Sequence, residues 1–351
     1  MNPKAITFDS NEAVKAAIAI NKKRIKENIS PEMDYDKSNN NNYDANNNKH
    51  ELVPYTSFNN QSNLDKEIGF LTYLETKYEY LRESNFTPNE ALRTYSLDSI
   101  FLKESEFIGN IYGKYSKPKD WPIPMKYKYK CHPLRDDPKE IQRERDLVQI
   151  SNKSRPLWLF KSVVMFIDMV KILPFFSRLT LKDQQILIRK VALPTIVSIN
   201  AFYSYLSNED VVCFPDGTKP IELHTNPVQL EIDIFGNSVK PMHRLKLNQI
   251  EFSLMKIIMI CNESCTDVSP QAASIIKEER EYYCMILLKH LQIKLGQIEG
   301  AKKFGDILMS IQMFHHFAEK FKQLHVLFMV RGTGRWMNLP PSPAIQMIFD
   351  D

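Results

Sequence analysis

The stretch KILPFFSRLTLKDQQILIR, residues 171–189, joins two predicted helices through a short turn. The residues before and at its start keep the 3.6-residue apolar spacing of a helix: Phe160, Val163, Ile167 and Val170. Pro174 ends this run, because proline lacks the N–H group that a helix interior requires. Thr180, followed three residues later by Asp183, is typical of the capping pair at a helix start. The stretch therefore predicts one helix that ends before Pro174 and another that begins after Thr180.

Helical periodicity extends over much of the remaining chain. Apolar residues recur with the same period over residues 64–81, 247–261 and 304–328. Asn248 and Glu251 have the spacing of a second capping pair, at the start of the middle stripe. The helix that carries the last stripe is predicted to stop at Gly332 and to cover about 30 positions, or roughly 45 Å, which is more than one small core needs. A surface for a partner protein is one interpretation of that excess length.

Proline, glycine and serine mark further boundaries. Ser269 and Pro270 predict the N-cap and first residue of a helix that ends near Gly296. Pro194 should kink or divide the helix in which it lies. Only residues 211–217 combine apolar β-formers with a Pro-Asp-Gly turn, so a small hairpin is expected there. These signals predict an all-α chain with one small β-hairpin.

The first 62 residues differ in composition from the rest. Residues 1–26 carry six Lys or Arg against two Asp or Glu, a net charge of 6 − 2 = +4. This segment is interpreted as a phosphate-contacting or nuclear-targeting cluster, or equally as a solvated helix face. Seven of the ten residues 39–48 are Asn, which predicts a linker that cannot bury enough apolar surface to fold. We therefore predict a basic extension and disordered Asn-rich hinge over 1–62 and a folded domain over 63–351.

Composition argues against several classes of protein. A net charge of +4 over 351 residues is far less basic than a broad nucleic-acid-binding surface. No secretory signal stands at the N-terminus, and no stretch reaches the roughly 18 uncharged apolar residues of a membrane span. The sequence also lacks GxGxxG, GxxxxGK[ST], HExxH and GxSxG. It predicts no membrane segment, no cofactor and no enzymatic activity.

The cysteines predict thiols rather than disulfides or a metal site. Five cysteines are an odd number, and they are scattered along the chain. Cys261 and Cys265 lie four residues apart in an apolar stretch, without a second pair of Cys or His ligands nearby. We expect reduced, mostly buried thiols in an intracellular protein and no bound metal.

Residues 171–189 resemble the signature of the nuclear hormone receptor ligand-binding domain. In that signature a helix ending in Lys, an F-x-x-L turn and D-Q-x-x-L-L follow one another without gaps. The matching residues are Phe176, Leu179, Asp183, Gln184, Leu187 and Ile188. Residues 251–262, 280–283 and 303–304 resemble the family's eighth, ninth and tenth helices in the right order. The resemblance covers about residues 63–351 and implies a three-layer antiparallel helical sandwich of about 10–12 helices.

The N-terminus adds a second resemblance. Residues 1–6, Met-Asn-Pro-Lys-Ala-Ile, resemble the sequence that follows the last zinc finger in nematode supplementary receptors related to hepatocyte nuclear factor 4. The chain is therefore expected to begin where the zinc-finger domain would end. We expect no direct sequence-specific DNA binding by this chain, whether it is an isoform, an incomplete gene product or a truncated protein.

The resemblance implies a groove for coregulator helices. In the family, a Lys at the end of the third helix and a glutamate on the C-terminal activation helix hold the two ends of a coactivator helix. Lys171 matches the Lys, whereas the glutamate position falls on Gln346 or Met347, so we expect weak or unusual coactivator recruitment. The alternative for Lys171 is a solvent-facing cation that stabilises the helix dipole. The implied groove comprises Ile167, Lys171, Ile188, Arg189, Ile345, Met347 and Ile348.

The resemblance also implies a ligand cavity. Where acid-binding relatives place an arginine on the fifth helix, this chain has Tyr203, so a buried carboxylate would lack a cationic partner. We therefore expect a neutral lipophile, or a cavity filled by the chain's own side chains. For each residue taken alone, ordinary core packing is the competing interpretation. The implied lining is Trp158, Leu159, Ser162, Met165, Val197, Asn200, Tyr203, Cys213, Phe214, Phe321 and Leu324.

The resemblance thus implies a nuclear transcriptional regulator that binds a lipophilic small molecule and coactivator or corepressor helices. It would dimerise with itself or with another nuclear receptor through its long last helix. The alternative is a ligand-independent adaptor, or dominant-negative partner, that sequesters another receptor. A helical isoprenoid-handling enzyme is disfavoured because no DDxxD motif stands in a predicted core helix. Asp136 and Asp137 lie in a proline-rich region and do not supply one.

Overall fold

The computed structural model describes residues 61–88, 100–101, 103–109, 111–123, 157–223, 226–331 and 343–349. The chain divides into two compact units, residues 1–70 and 71–351. Within the first unit the described residues are 61–70, the beginning of helix α1. The predictions for the basic extension and the Asn-rich stretch fall outside the described residues, as do Asp136 and Asp137.

Helices dominate the described part of the chain, and this confirms the all-α prediction. They are α1 (Gln61–Glu83), α2 (Trp158–Val170), α3 (Leu181–Leu206), α4 (Gln229–Glu231), α5 (Lys240–Leu245), α6 (Gln249–Ile260), α7 (Pro270–Leu295), α8 (Gln297–Arg331) and α9 (Pro343–Phe349). Between α4 and α5 the chain continues as a π-helical turn, Ile232–Gly236, and a 3₁₀ turn, Asn237–Val239. No strand occurs among the described residues.

Side-chain hydrogen bonds start α3 and α6 where the sequence predicted. The Thr180 hydroxyl accepts the N–H of Asp183 at 3.2 Å. The Asn248 amide oxygen accepts the N–H of Glu251 at 2.8 Å, and the Glu251 carboxylate accepts the N–H of Asn248 at 3.2 Å. Each cap satisfies backbone donors that the first turn of a helix leaves unpaired. Both capping predictions are confirmed.

Asp183 also connects the start of α3 to the start of α7. Its carboxylate accepts both the N–H (2.8 Å) and the hydroxyl (2.9 Å) of Ser269. Ser269 in turn caps α7 by accepting the N–H of Ala272 at 3.2 Å, which confirms the predicted Ser-Pro start. Helix α7 ends at Leu295, and Gly296 follows with a φ of 85°, a conformation that favours glycine. The Asp183 side chain thereby connects two helix starts through a contact with a residue 86 positions away in sequence.

Helix α3 lies at the centre of the second unit. It packs against α2, α6, α8 and α9, while α6 also packs against α7 and α8. By length and composition alone α3 could cross a membrane, with a mean hydropathy of 1.3 over its most apolar window. In the structure 78% of that window is buried inside the protein, as expected for a core helix. The apolar character of α3 is therefore accounted for by the core.

Of the two predicted effects of Pro194, a kink or a division of the helix, the division is wrong, because α3 continues through Pro194 from Leu181 to Leu206. Proline removes one backbone donor from the ladder. Directly after Pro194, the Thr195 hydroxyl donates to the carbonyl of Val191 at 2.6 Å, and the Ser198 hydroxyl donates to the carbonyl of Thr195 at 2.7 Å. The packing of α3 against several other helices allows it to continue despite the missing backbone bond.

The predicted β-hairpin is also wrong, although its turn exists. The N–H of Phe214 donates to the carbonyl of Thr218 at 2.9 Å, around Gly217 at a φ of 80°. No second strand follows, because Pro220 begins a 3₁₀ turn, and the N–H of Val212 bonds instead to the carbonyl of Phe235 at 2.7 Å. The first half of the expected hairpin thus pairs with the π-helical turn, so the hydrogen bonds of a ladder never form.

Candidate functional site

Helix α2 carries four of the residues predicted to line a ligand cavity, and all four are buried: Trp158, Leu159, Ser162 and Met165. The Trp158 indole stacks on the Phe214 ring, with centroids 4.9 Å apart and planes inclined by 3°. Trp121 contacts the same indole at 5.7 Å. Among the described residues no acceptor bonds to the buried indole N–H of Trp158. The structure therefore brings α2 and the turn around residue 214 together, as the predicted lining requires.

The predicted lining residues of α3 and of the loop after it differ in how deeply they are buried. Val197 is buried, whereas Asn200, Cys213 and Phe214 are half-buried. The N–H of Cys213 donates to the Ser204 hydroxyl at 2.9 Å, which fixes the loop against the end of α3. These positions are compatible with a cavity lining and equally with ordinary packing, so their role in ligand contact stays a prediction.

The hydroxyl of Tyr203 forms its hydrogen bond with helix α1 rather than with the other predicted lining residues. The hydroxyl donates to the Glu75 carboxylate at 2.6 Å, and the Arg82 guanidinium lies 4.7 Å from the centroid of the Tyr203 ring. Burial and the adjacent Glu75 raise the pKa of Tyr203 well above its usual value. Both polar partners come from helix α1. The hydroxyl of Tyr203 is thus committed to α1, and its predicted contact with a ligand would be through the ring alone.

Phe321 of α8 connects the predicted lining to the C-terminal helix. Its ring lies 5.7 Å from the ring of Phe235 and 5.5 Å from the ring of Phe349 in α9. His325, one turn further along α8, contacts the Phe349 ring at 4.3 Å. Leu324, the other predicted lining residue of α8, is buried. A residue predicted to contact ligand therefore also contacts the helix predicted to contact coregulators.

Lys161 is a buried cation beside the predicted cavity that the sequence argument missed. Its ammonium donates to the carbonyl oxygens of Arg82 (3.2 Å) and Ser84 (2.9 Å) at the end of α1, and it lies 5.1 Å from the Trp158 ring centroid. Burial and the neighbouring Arg82 lower the pKa of Lys161 to about 7, against the opposing influence of Asp216. The helical spacing of Trp158 and Lys161 was the available signal. The expectation that a buried carboxylate would lack a cationic partner stays a prediction, and Lys161 is the residue that argues against it.

The lowered pKa of Lys161 makes stability depend on pH. The folded chain releases this proton near pH 7 and the unfolded chain near pH 10.5, so the unfolded chain binds more protons between these values. Stability contributed by this group should therefore rise as pH increases from about 7 to about 10, by at most about 1.4 kcal/mol per pH unit. Urea denaturation of Lys161→Met at pH 7 and 9 should show a smaller rise than the original chain. An identical rise in both would contradict the assignment.

The predicted coregulator groove is only partly at the surface. Ile167 and Ile188 are 0% exposed, so neither of them lies at the surface of the protein. Arg189 is exposed. In α9, Ile345 and Met347 are half-buried and Ile348 is buried against the core. The structure thus brings the end of α2, α3 and α9 together, as a groove between them requires.

Lys171, directly after α2, does not face solvent. Its ammonium donates to the carbonyl oxygens of Ile100 (2.9 Å) and Lys103, and to the Asp168 carboxylate at 3.3 Å. Burial lowers the pKa of Lys171, although the Asp168 carboxylate opposes that shift. The interpretation of Lys171 as a solvent-facing cation is therefore wrong. The ammonium binds carbonyl groups, which is the chemistry that the clamp interpretation requires.

The described thiols are free: Cys213, Cys261, Cys265 and Cys284. Burial raises the pKa of each of these thiols, which makes them poor nucleophiles at neutral pH. Over the described residues, no three His, Cys, Asp or Glu side chains are arranged to hold a metal ion. Cys131 falls outside the described residues.

Comparison with known proteins identifies the domain. Residues 157–330 match the model of the ligand-binding domain of nuclear hormone receptor. Three nuclear hormone receptor family members of Caenorhabditis elegans are similar to the chain. They are nhr-60 (25% identity over 83% of this chain), nhr-154 (25% over 50%) and nhr-209 (23% over 60%). The matches span 62%, 40% and 53% of the lengths of these relatives, less than two thirds in each case.

The relationship to hepatocyte nuclear factor 4 and the absence of a zinc-finger domain stay predictions, because these matches do not test them. The matched residues contain the signature turn, the three confirmed helix starts and the long helix α8. The family match and the all-helical architecture together show that the chain contains a nuclear hormone receptor ligand-binding domain.

Proposed function

We propose that the chain is a nuclear transcriptional regulator in which a lipophilic small molecule controls the binding of coregulator helices. The names of its relatives support the regulatory class, since nuclear hormone receptors are transcription regulators and not enzymes. The mostly apolar side chains around Trp158 support the lipophilic class of ligand. Because Lys161 supplies a buried cation beside them, a lipophile with one acidic group is as compatible as a neutral one.

The contact between Phe321 and Phe349 is the observation that carries this proposal. Helix α9 has seven residues, too few for a stable helix on its own, so its position depends on packing. It packs against α2 and α3, and Phe349 attaches it to α8. A ligand that contacts Phe321 would therefore bind with different free energies when α9 is docked and when it is undocked. Such differential contacts are what a ligand needs to shift a two-state population.

Coregulator binding would use the surface between Lys171 and α9. Gln346 is exposed on α9, so the position that carries a glutamate in the family is neutral here. A missing charge-assisted cap removes about 1.5–3 kcal/mol of hydrogen bonding. We therefore propose weak recruitment, with apolar contacts supplying most of the affinity.

A ligand-independent adaptor that dimerises with another receptor is the second candidate. Helix α8 supports it, because this helix exposes several large apolar side chains: Met309 (71%), Met313 (36%), Val326 (59%), Met329 (46%) and Val330 (81%). Exposed apolar surface of this extent is typical of an interaction site. In this alternative the cavity is filled by side chains and α9 stays docked permanently.

Native mass spectrometry of the chain purified from eukaryotic cells distinguishes the two candidates. Ligand regulation predicts a stoichiometric apolar adduct, which denaturation releases for identification. The Met309→Ser variant, altered only on the exposed face of α8, should keep the adduct and serves as the control. A clean dimer without any adduct would contradict ligand sensing and favour the adaptor.

A further inference from the structure

We propose that the segment around Ile100 and Phe101 occupies the coregulator surface as an internal substitute for a coregulator helix. An external helix must then displace this segment before it can bind. The inference rests on the proposed function, because it concerns the surface that contains Lys171. It adds an occupant to that surface, and the occupant belongs to the chain itself.

The first support is that every donor of Lys171 is already used. An ammonium group has three N–H donors. Here they reach the carbonyl oxygens of Ile100 and Lys103 and the carboxylate of Asp168. No donor is left for the carbonyl oxygens of an external helix. The group that would hold a coregulator is therefore held by the chain's own backbone.

The bonded carbonyl groups are of the kind that a helix end offers. Ile100 and Phe101 have helical conformation, and Lys103 lies in a bend. Carbonyl groups in the last turn of a helix have no partner within the helix and carry partial negative charge. A lysine that bonds to the carbonyl of helical Ile100, and to that of Lys103 in the bend, acts in the manner of a cap. Lys171 thus makes to its own segment the kind of contact that the clamp makes to a partner.

Apolar side chains of the segment complete the resemblance to a bound helix. Ile100 is buried, and the Phe101 ring lies 5.9 Å from the ring of Phe176 in the signature turn. Helices that dock into grooves are likewise anchored by apolar side chains.

Polar contacts hold the following residues against α2. The Ser105 hydroxyl donates to the backbone carbonyl of Asp168 at 2.9 Å, and the N–H of Glu106 donates to its carboxylate at 3.3 Å. Further on, Lys77 of α1 donates to the carbonyl of Phe107 at 2.6 Å. The segment is therefore attached beyond the groove, so it can leave the surface near Lys171 without separating from the domain. Such an occupant weakens partner binding, because the apparent dissociation constant equals the intrinsic one divided by the fraction of molecules whose surface is free.

Peptide binding to the full chain tests the inference. The probe is a fluorescein-labelled, 15-residue amphipathic peptide with leucines at positions one, four and five of its anchor. Phe101→Ser removes the ring on Phe176 and should increase the affinity for this peptide at least tenfold. Ile108→Ser, a matched change at a side chain 49% exposed in the same segment, should leave it unchanged. Adding Lys171→Ala to Phe101→Ser should abolish the gain.

Hydrogen exchange provides a second measurement on the unaltered chain. A saturating concentration of the peptide should increase exchange at the amides of Ile100, Phe101 and Lys103. Should Phe101→Ser fail to fold, Ser105→Ala, which removes only the hydroxyl bonded to Asp168, should give a smaller gain in the same direction.

The outcomes separate the inference from the proposed function. Peptide binding that requires Lys171 but is equally tight in the original chain and Phe101→Ser would overturn the inference and leave the coregulator function intact. Unchanged exchange in the segment at saturation would have the same meaning. Absence of binding in every folded variant would overturn the coregulator function and the inference with it.

Discussion

Replacing Glu75 with glutamine is expected to reduce the free energy of unfolding by about 3–5 kcal/mol, because it leaves a buried ammonium without a counter-charge. Glu75 is 1% exposed and Lys256 is 2% exposed. The Glu75 carboxylate bonds directly to the Lys256 ammonium, and it also accepts the hydroxyls of Tyr203 (2.6 Å) and Ser253 (3.1 Å). Helices α1, α3 and α6 therefore meet at one carboxylate, and its loss affects all three.

Urea denaturation of Glu75→Gln, of a double variant and of a control variant measures this effect. The double variant Glu75→Gln with Lys256→Met removes both charges and keeps an acceptor for the Tyr203 hydroxyl, so it should recover most of the lost stability. Glu79→Gln, which changes a half-buried carboxylate one turn along α1, is the matched control and should have an effect below about 1 kcal/mol. A loss below 1 kcal/mol for Glu75→Gln would mean that water reaches Lys256 once the carboxylate is gone.

Local signals allowed the helix starts to be predicted from sequence, because capping depends on residues three positions apart. Asn248 and Glu251 form their pair within one turn, and the structure confirms it. The same Glu251 also binds Lys294 (3.1 Å) and Lys303 (2.7 Å), from α7 and α8, which no local pattern indicated. Sequence spacing thus identified the cap, whereas the ion pairs needed knowledge of which helices meet.

Long-range contacts in the predicted site were missed for the same reason. The family pattern placed Tyr203 in the ligand lining, but it did not indicate that Glu75, 128 residues away, accepts the Tyr203 hydroxyl. The fifth-helix position also did not indicate Lys161, a lysine of α2 that is buried beside Trp158. The β-hairpin failed since its turn signal was sufficient for a turn but not for a second strand. Long-range partners, rather than local propensity, decided all three.

Phe349→Ala is expected to undock helix α9 and thereby to weaken coregulator binding. Truncation of a buried phenylalanine typically costs about 3–5 kcal/mol, and the side chain of Phe349 is buried between Phe321 and His325. A helix of seven residues has little stability of its own to oppose that loss. Hydrogen exchange at the amides of residues 343–349 should therefore accelerate by at least about 100-fold, since each 1.4 kcal/mol corresponds to a factor of ten.

Affinity for the leucine-anchored peptide should fall with the docked population of α9, because the proposed groove needs both Lys171 and this helix. Gln346→Ala, an exposed change on the same helix, should leave exchange nearly unaltered and so controls for helix propensity. Phe321→Ala removes the opposite side of the contact and should produce the same two effects without any change in α9 itself. Faster exchange with unchanged peptide affinity would show that α9 does not form the groove. Unchanged exchange in both phenylalanine variants would show instead that α2 and α3 hold α9 in place, and that a ligand touching Phe321 cannot control it.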